Sequence, residues 1–125
     1  MRTRTISKTS VFATTVFAAA IAAGCASGPI ASPPPLTEPG SAAFVTLERK
    51  SNIVGLPAPM FFIINDRRIY RLLNGARWSF QIDPGEYRFG YDLGFNACRQ
   101  RVILKPNQRY VIELTPICEI EPRAL

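Results

Sequence analysis

From residue 42 onward, hydrophobic and polar side chains alternate with a period of two, the pattern of strands with one buried face. In the first such segment Ala43, Val45 and Leu47 alternate with Phe44, Thr46 and Glu48. The same alternation recurs at 76–82, 87–91, 101–105 and 110–114, and residues 69–72 predict a further short strand. Residues 60–64 form a continuous apolar run, which predicts a central strand buried on both faces. No helical periodicity appears in this region, so the pattern predicts an all-β domain of about seven strands.

Turn residues separate these strands. Asn74-Gly75 suits a type I′ turn, because both central positions of that turn need positive φ, and it predicts a hairpin pairing 69–73 with 76–82. Pro84-Gly85 predicts a type II turn. Asn65-Asp66 and Pro106-Asn107 have turn chemistry as well. Short strands joined by such turns predict a small antiparallel β-sandwich.

The first 41 residues follow a different pattern. Residues 11–23 are apolar except for two threonines, a run too short to span a bilayer, and three basic residues precede it. Residues 26–41 contain five prolines, which block both helix and sheet. This stretch predicts a semi-extended spacer after a signal peptide. The alternative for the spacer is a proline-rich ligand for an aromatic groove.

Ile21-Ala22-Ala23-Gly24-Cys25 resembles the lipobox of bacterial lipoproteins. The resemblance implies cleavage after Gly24, a diacylglycerol on the Cys25 thiol and a fatty acyl chain such as palmitate on its new amine. Residues 1–24 would be the signal peptide, 25–41 a lipidated tether and 42–125 the β-sandwich domain. An ordinary signal peptide with a chance cysteine and an uncut transmembrane anchor are the alternatives. In Gram-negative lipoproteins an aspartate after the cysteine commonly marks inner-membrane retention, so Ala26 favours the outer membrane, facing the periplasm.

Processing changes the charge of the chain. The whole sequence has a formal net charge of +6, with 15 Lys and Arg against nine Asp and Glu. Cleavage removes Arg2, Arg4 and Lys8, which leaves 12 basic residues and a net charge of +3. This mild excess is compatible with anionic lipid or glycan, and we expect no nucleic-acid partner.

Cys98 and Cys118 are the two cysteines besides Cys25. An exported domain meets an oxidising compartment, so we predict a disulfide between them. Two separate buried thiols are the alternative. The chain has no histidine to complete a metal site with two cysteines, and we predict neither metal nor cofactor.

A second resemblance lies in the turns and the last strand. Asn74-Gly75, Trp78, the run Pro84-Gly85-Glu86-Tyr87 and the run from Pro106 to Val111 resemble a family of small bacterial lipoprotein domains of unknown function. They are also similar to PEGA-type β modules, which share the proline-glycine turn. The resemblance implies an immunoglobulin-like or transthyretin-like sandwich and supplies no activity.

Catalytic chemistry is poorly represented. Histidine is absent, and the serines lack the context of a nucleophile elbow. Asp83 and Glu86 flank one turn, where turn-capping explains them more simply than a catalytic pair. We therefore predict that the protein is not an enzyme.

The most suggestive grouping is arginine interleaved with aromatic residues. The candidate binding residues are Arg67, Arg68, Arg71, Arg77, Trp78 and Arg88. The predicted hairpin would bring Arg71 opposite Arg77, on a face able to bind phosphate or carboxylate groups. The simpler interpretation is a solvated face of amphipathic strands whose aromatic residues fill the core.

Two functions remain open at this point. The first is a non-catalytic envelope lipoprotein, anchored to the membrane through Cys25, whose domain contacts another envelope protein as an accessory module. Strand edges of a sandwich suit such pairing. The second is a binding module for an anionic envelope lipid or glycan that uses the arginine and aromatic residues.

Overall fold

The computed structural model describes residues 26–50 and 58–125. The predicted signal peptide at 1–24 and the lipidation site at Cys25 lie outside the described residues. A short 3-10 turn spans Pro39–Ser41. The strands are β1 Gly28–Pro29, β2 Ala43–Arg49, β3 Met60–Ile64, β4 Arg67–Leu72, β5 Arg77–Ile82, β6 Gly85–Asp92, β7 Ala97–Leu104, β8 Arg109–Leu114 and β9 Arg123–Ala124.

These strands form two sheets. Sheet A has the order β1-β4-β3-β6-β7, and sheet B has the order β5-β2-β8-β9. The predicted small all-β sandwich is confirmed. The described part of the chain has nine strands because two-residue strands, β1 and β9, extend one edge of each sheet. One pair differs from the antiparallel prediction, since β2 and β8 run parallel.

The inner faces of the two sheets enclose one hydrophobic core. Phe62 of sheet A lies 6.2 Å from Phe80 of sheet B between ring centroids, and its ring meets that of Phe89 edge-on at 5.3 Å. At one end of the core the buried Arg49 donates a hydrogen bond from Nη1 to the Leu72 carbonyl at 2.7 Å, which ties sheet B to sheet A. Burial lowers the pKa of this guanidinium. No helix in the described residues is both long and apolar enough to cross a membrane.

The predicted hairpin at Asn74-Gly75 is wrong. Strand β4 lies in sheet A and β5 in sheet B, so the turn crosses between the sheets instead of pairing its flanks. Gly75 has φ +76° while Asn74 is not among the residues with positive φ, and the Ala76 amide donates to the Leu73 carbonyl at 3.0 Å. Positive φ at the second central position alone is the geometry of a type II turn, whose twist does not match that of paired strands.

The two-residue hairpin lies instead at Asn65-Asp66, between β3 and β4. Asn65 has φ +48° and Asp66 has φ +66°, as a type I′ turn requires. The β3–β4 register slips between Phe62 and Ile63, which leaves Ile69 as the extra residue of a β-bulge. The bulge turns both Ile69 and Tyr70 inward, so the sequence alternation in β4 is broken.

The proline-rich segment is bound to the sandwich. We call residues 27–38 the strap. Its β1 pairs with β4, and the Leu73 amide donates to Ser27 Oγ at 2.9 Å. At its other end the Asp83 carboxylate accepts hydrogen bonds from the Thr37 hydroxyl at 2.6 Å and the Glu38 amide at 2.9 Å. The described part of the predicted spacer is therefore folded along the domain instead of standing away from it, because β4 and Asp83 satisfy its backbone donors.

The tail, residues 115–122, crosses the opposite side of the molecule between β8 and β9. Cys98 of β7 and Cys118 of the tail are joined as a disulfide, with their Cα atoms 5.3 Å apart. The Cys118 amide donates to Tyr91 Oη at 2.9 Å, and burial raises the pKa of that tyrosine. The Gln100 side chain accepts from the Ile120 amide and donates to the Cys118 carbonyl. The tail is thus fixed along the first half of β7.

Candidate functional site: the arginine face of sheet A

The outward face of sheet A carries five arginines on three strands. Because cross-strand partners point to the same side of a sheet, the register defines the face. Arg71 pairs with Phe61, Arg68 with Ile63, Arg88 with Arg101, and Arg99 with Gly90. We call this surface the arginine face; its basic members are Arg68, Arg71, Arg88, Arg99 and Arg101.

Three carboxylates lie among these arginines. Asp66 contacts both Arg88 Nη1 at 3.1 Å and Arg99 Nε at 3.0 Å. Glu86 accepts from Arg101 Nη2 at 2.7 Å. Asp92 accepts from Arg68 Nη2 at 2.6 Å across the intervening β3. Since five guanidinium groups face three carboxylates, the arginine face keeps two positive charges in excess.

Apolar residues form the centre of the face. Phe61 lies beneath Arg68, whose guanidinium carbon is 4.6 Å from the ring centroid. Ile63 points outward from β3 yet is only 3% exposed. Next to it on β6 stands Gly90, and a Cβ at that position would overlap the Cys98 carbonyl and come within 2.8 Å of Arg99 Cγ. The alkyl stem of Arg99 therefore lies over Gly90, so arginine stems cover the apolar centre while their charged ends reach solvent.

A backbone amide also donates a hydrogen bond to one of these carboxylates. The Gly94 amide donates to Asp92 Oδ1 at 2.7 Å. This hydrogen bond, with the charge and hydrogen bond of Arg68, holds the pKa of Asp92 below its usual range, against a smaller opposing effect of burial. Asp92 is therefore a carboxylate at neutral pH, and it fixes the guanidinium of Arg68 over Phe61.

The second half of β7 forms the edge of the sheet beside this face. In the described part of the chain β7 pairs with β6 alone, and the tail is hydrogen-bonded to it at Gln100. Arg101 and Ile103 follow, and Ile103 is 62% exposed. A groove of about 350 Å³ lies beside them, lined by Asn65, Glu86, Arg88, Arg99 and Arg101 among others. Backbone groups and side chains are both accessible at this edge, as strand-pairing partners require.

The predicted binding residues lie in three places. Arg68, Arg71 and Arg88 lie on the arginine face. Arg77 and Trp78 belong to β5 of sheet B, so the structure does not bring Arg71 and Arg77 face to face across a hairpin. Arg77 pairs with Glu48 at 2.7 Å, and Trp78 stacks on Tyr70 at 4.2 Å at the edge of the core. Arg67 is exposed at the beginning of β4, beside the Asn65-Asp66 turn.

Sequence reasoning missed Arg99 and Arg101. Gly94 and Asn96 are typical of a loop, and the predicted strand begins only at Arg101, whereas β7 already begins at Ala97. The alternation of Arg99, Arg101 and Ile103 with Cys98, Val102 and Leu104 was the available signal.

The described residues contain no group of three potential metal ligands. Asp83 and Glu86, considered above as a pair, face different partners, since Asp83 binds the strap and Glu86 binds Arg101. The arrangement is suited to contact with charged or polar groups, and it brings together no nucleophile and base.

Comparison with known proteins informs the fold. Neither a protein-family model nor a curated protein matches this chain. A solved structure, the N-terminal domain of AlgF from P. aeruginosa, is similar with a TM-score of 0.51 and 17% sequence identity, over 70% of this chain and 96% of that chain. At this identity the likeness shows the fold alone. The resemblances to lipoprotein domains and to PEGA modules stay predictions.

Proposed function

We propose that this protein is a non-catalytic lipoprotein of the bacterial envelope that binds another envelope protein through the arginine face. Its anchor would be the lipid on Cys25. The observation that carries the partner proposal is the arginine face itself, with Arg101 and Ile103 on an open strand edge.

The shape of the face favours a macromolecular partner. Four neighbouring strands at about 4.8 Å spacing give a surface roughly 14 Å wide, which suits a second protein better than a small ligand. Arginine is enriched in protein interfaces, where its planar group binds carboxylates in two-point contacts.

The existing ion pairs also favour a protein. Each arginine with a carboxylate neighbour is exposed, so its pair adds little stability and can be exchanged for a partner's carboxylate. A partner with both signs of charge satisfies Asp66 and Glu86 as well as the arginines. An anionic lipid or glycan would leave these carboxylates opposed to its own charge.

The second candidate is the anionic lipid or glycan. The two excess positive charges of the arginine face favour it. Phosphate and carboxylate groups of envelope glycolipids have the matching charge, and such binding would weaken as salt rises.

Photocrosslinking in intact cells separates the two. A photoreactive residue in place of Ile103 probes the strand edge without removing any arginine. We expect one dominant protein adduct that persists in high salt. Adducts to lipid or glycan that diminish with salt would favour the second candidate, and the absence of any adduct would contradict both.

The anchor is tested separately by the intact mass of the protein isolated from membranes. We expect a chain that begins at Cys25 and carries acyl chains. A chain beginning elsewhere, or one without acyl mass, would contradict the lipoprotein part of the proposal.

A further inference from the structure

The strap determines which end of the sandwich lies nearest the proposed anchor. Strand β1 runs antiparallel to β4, with Gly28 opposite Arg71 and Pro29 opposite Tyr70. Followed backward from Gly28, the chain moves toward the C-terminal end of β4, where Ser27 Oγ accepts the hydrogen bond from the Leu73 amide. We call this end of the sandwich the anchor end.

Little free chain separates that end from Cys25. Only Ala26 lies between Cys25 and Ser27, and each Cα step spans about 3.8 Å, so the two Cα atoms can be no farther apart than about 7.6 Å. A lipid on Cys25 would therefore hold the anchor end close to the bilayer.

Two exposed apolar side chains lie at the same end. Register places Leu72 beside Met60, Phe61 beside Asp92, and Asp92 beside Ala97, so the turn that joins β6 to β7 belongs to the anchor end. Phe95 in that turn is 66% exposed, and Ile117 in the tail is 71% exposed.

The two apolar residues stand on turns that are bonded to each other. Asn96 Nδ2 donates to the Pro116 carbonyl, and the Cys98–Cys118 disulfide joins the same two turns on their other side. The Leu93 amide donates to the Asn96 carbonyl at 2.8 Å, which closes the first turn. These bonds fix the two turns, and with them Phe95 and Ile117, relative to each other.

Two ion pairs lie at the anchor end. Lys50 lies 3.5 Å from Glu113, and Arg77 lies 2.7 Å from Glu48. The two exposed apolar side chains at this end gain by entering the interface between headgroups and acyl chains.

From these observations we infer that Phe95 and Ile117 insert into the membrane interface beside the lipid anchor and fix the orientation of the domain. The inference rests on the proposed lipidation of Cys25. The lipid on Cys25 would hold the domain at the membrane, and the second, apolar contact would fix its orientation there. The contact also directs Arg101 and Ile103 away from the bilayer, because Ile103 pairs with Glu86 at the opposite end of β6.

The test uses the mature lipidated protein in vesicles of phosphatidylethanolamine and phosphatidylglycerol that contain brominated lipid as a quencher. Phe95→Trp and Ile117→Trp are the reporters, and Ile103→Trp is the matched control, an exposed apolar site at the other end. Trp78 supplies a constant background because it is stacked within the protein on Tyr70 and Phe80.

We expect blue-shifted emission and roughly twofold stronger quenching at positions 95 and 117 than at position 103, unchanged by high salt. Equal quenching at all three positions, or none at 95 and 117, would overturn the inference. If quenching at 95 and 117 fails in a protein whose mass shows acylation, only the inserted contact is wrong. A mass without acyl chains would overturn the anchor and this inference together.

Discussion

The outer faces of the two sheets differ in what they carry. The centre of the sheet B face is small and polar, with Thr46 and Ser79 joined by a 2.9 Å hydrogen bond between hydroxyls. The corresponding region of sheet A has Phe61 and Ile63 beneath arginine side chains. Both sheets contribute to the same core, so the core does not require this difference.

The difference favours the proposed binding role of the arginine face. Exposed ion pairs contribute about 0–1 kcal/mol each, and a small polar centre such as that of sheet B would serve the fold equally well. A cluster of arginines around an apolar centre is the composition of a recognition surface. The following predictions separate the structural role of each face from its binding role.

The largest expected effect concerns the edge of sheet A at β7. Replacing both Cys98 and Cys118 by serine removes a crosslink between residues that are 20 apart in sequence. We expect a loss of about 3 kcal/mol in the free energy of unfolding, measured by urea denaturation. The wild-type protein under reducing conditions should lose the same amount of stability. A variant as stable as the oxidised wild type would contradict the account of this edge.

The next effect concerns the close approach of β6 and β7. Gly90→Ala places a methyl group against the Cys98 carbonyl and the Arg99 stem, so we expect a loss of about 1–3 kcal/mol. Ser79→Ala on the sheet B face is the control, with an expected change of about 0.5 kcal/mol or less. Equal losses from the two substitutions would show that the faces do not differ in packing.

The arginines themselves should matter more for binding than for folding. Arg99→Gln with Arg101→Gln removes two exposed ion pairs, for which we expect about 1 kcal/mol or less per pair. The protein adduct formed from a photoreactive residue at position 103 should largely disappear. Arg77→Gln with Arg109→Gln on sheet B is the matched control and should leave the adduct intact. The reverse result would assign binding to sheet B.

The smallest effect on global stability concerns the strap. The Thr37 hydroxyl, with the Glu38 and Thr37 amides, holds the pKa of Asp83 below its usual range. The strap contact is therefore complete above the ordinary pKa of aspartate and is lost as pH falls through the lowered value.

Asp83→Asn should accelerate hydrogen exchange at the Thr37 and Glu38 amides at neutral pH and leave the thermal midpoint nearly unchanged. In the wild-type protein these amides should lose the same protection, relative to the intrinsic exchange rate at each pH, only in acid. Slow exchange at these amides in the variant would mean that the strap is held by other contacts.

The local patterns in the sequence predicted the strands well and their partners poorly. Alternation identified β2, β5 and β8 because each has one buried face. Asn74-Gly75 suggested a hairpin, although a turn dipeptide alone does not determine whether its flanks share a sheet. The bulge at Ile69 depends on the register between two strands, which the sequence of one strand alone does not determine.

The candidate site was predicted in part for the same reason. Of the arginines grouped from the sequence, Arg68, Arg71 and Arg88 share one face, whereas Arg99 and Arg101 join them only through the β6–β7 register. The strap was unpredictable from its prolines, because its contacts to β4 and Asp83 are long-range hydrogen bonds.

The central claim is that the protein binds its partner through sheet A, and a paired crosslinking experiment tests it most directly. Photoreactive residues replace Ile103 on the outer face of sheet A and Ser79 on the sheet B face, one at a time, in intact cells. Both positions are exposed on strands, so the probes are comparable. The account predicts a specific protein adduct from position 103 and little or none from position 79. An adduct from position 79 alone, or equal adducts from both, would contradict it.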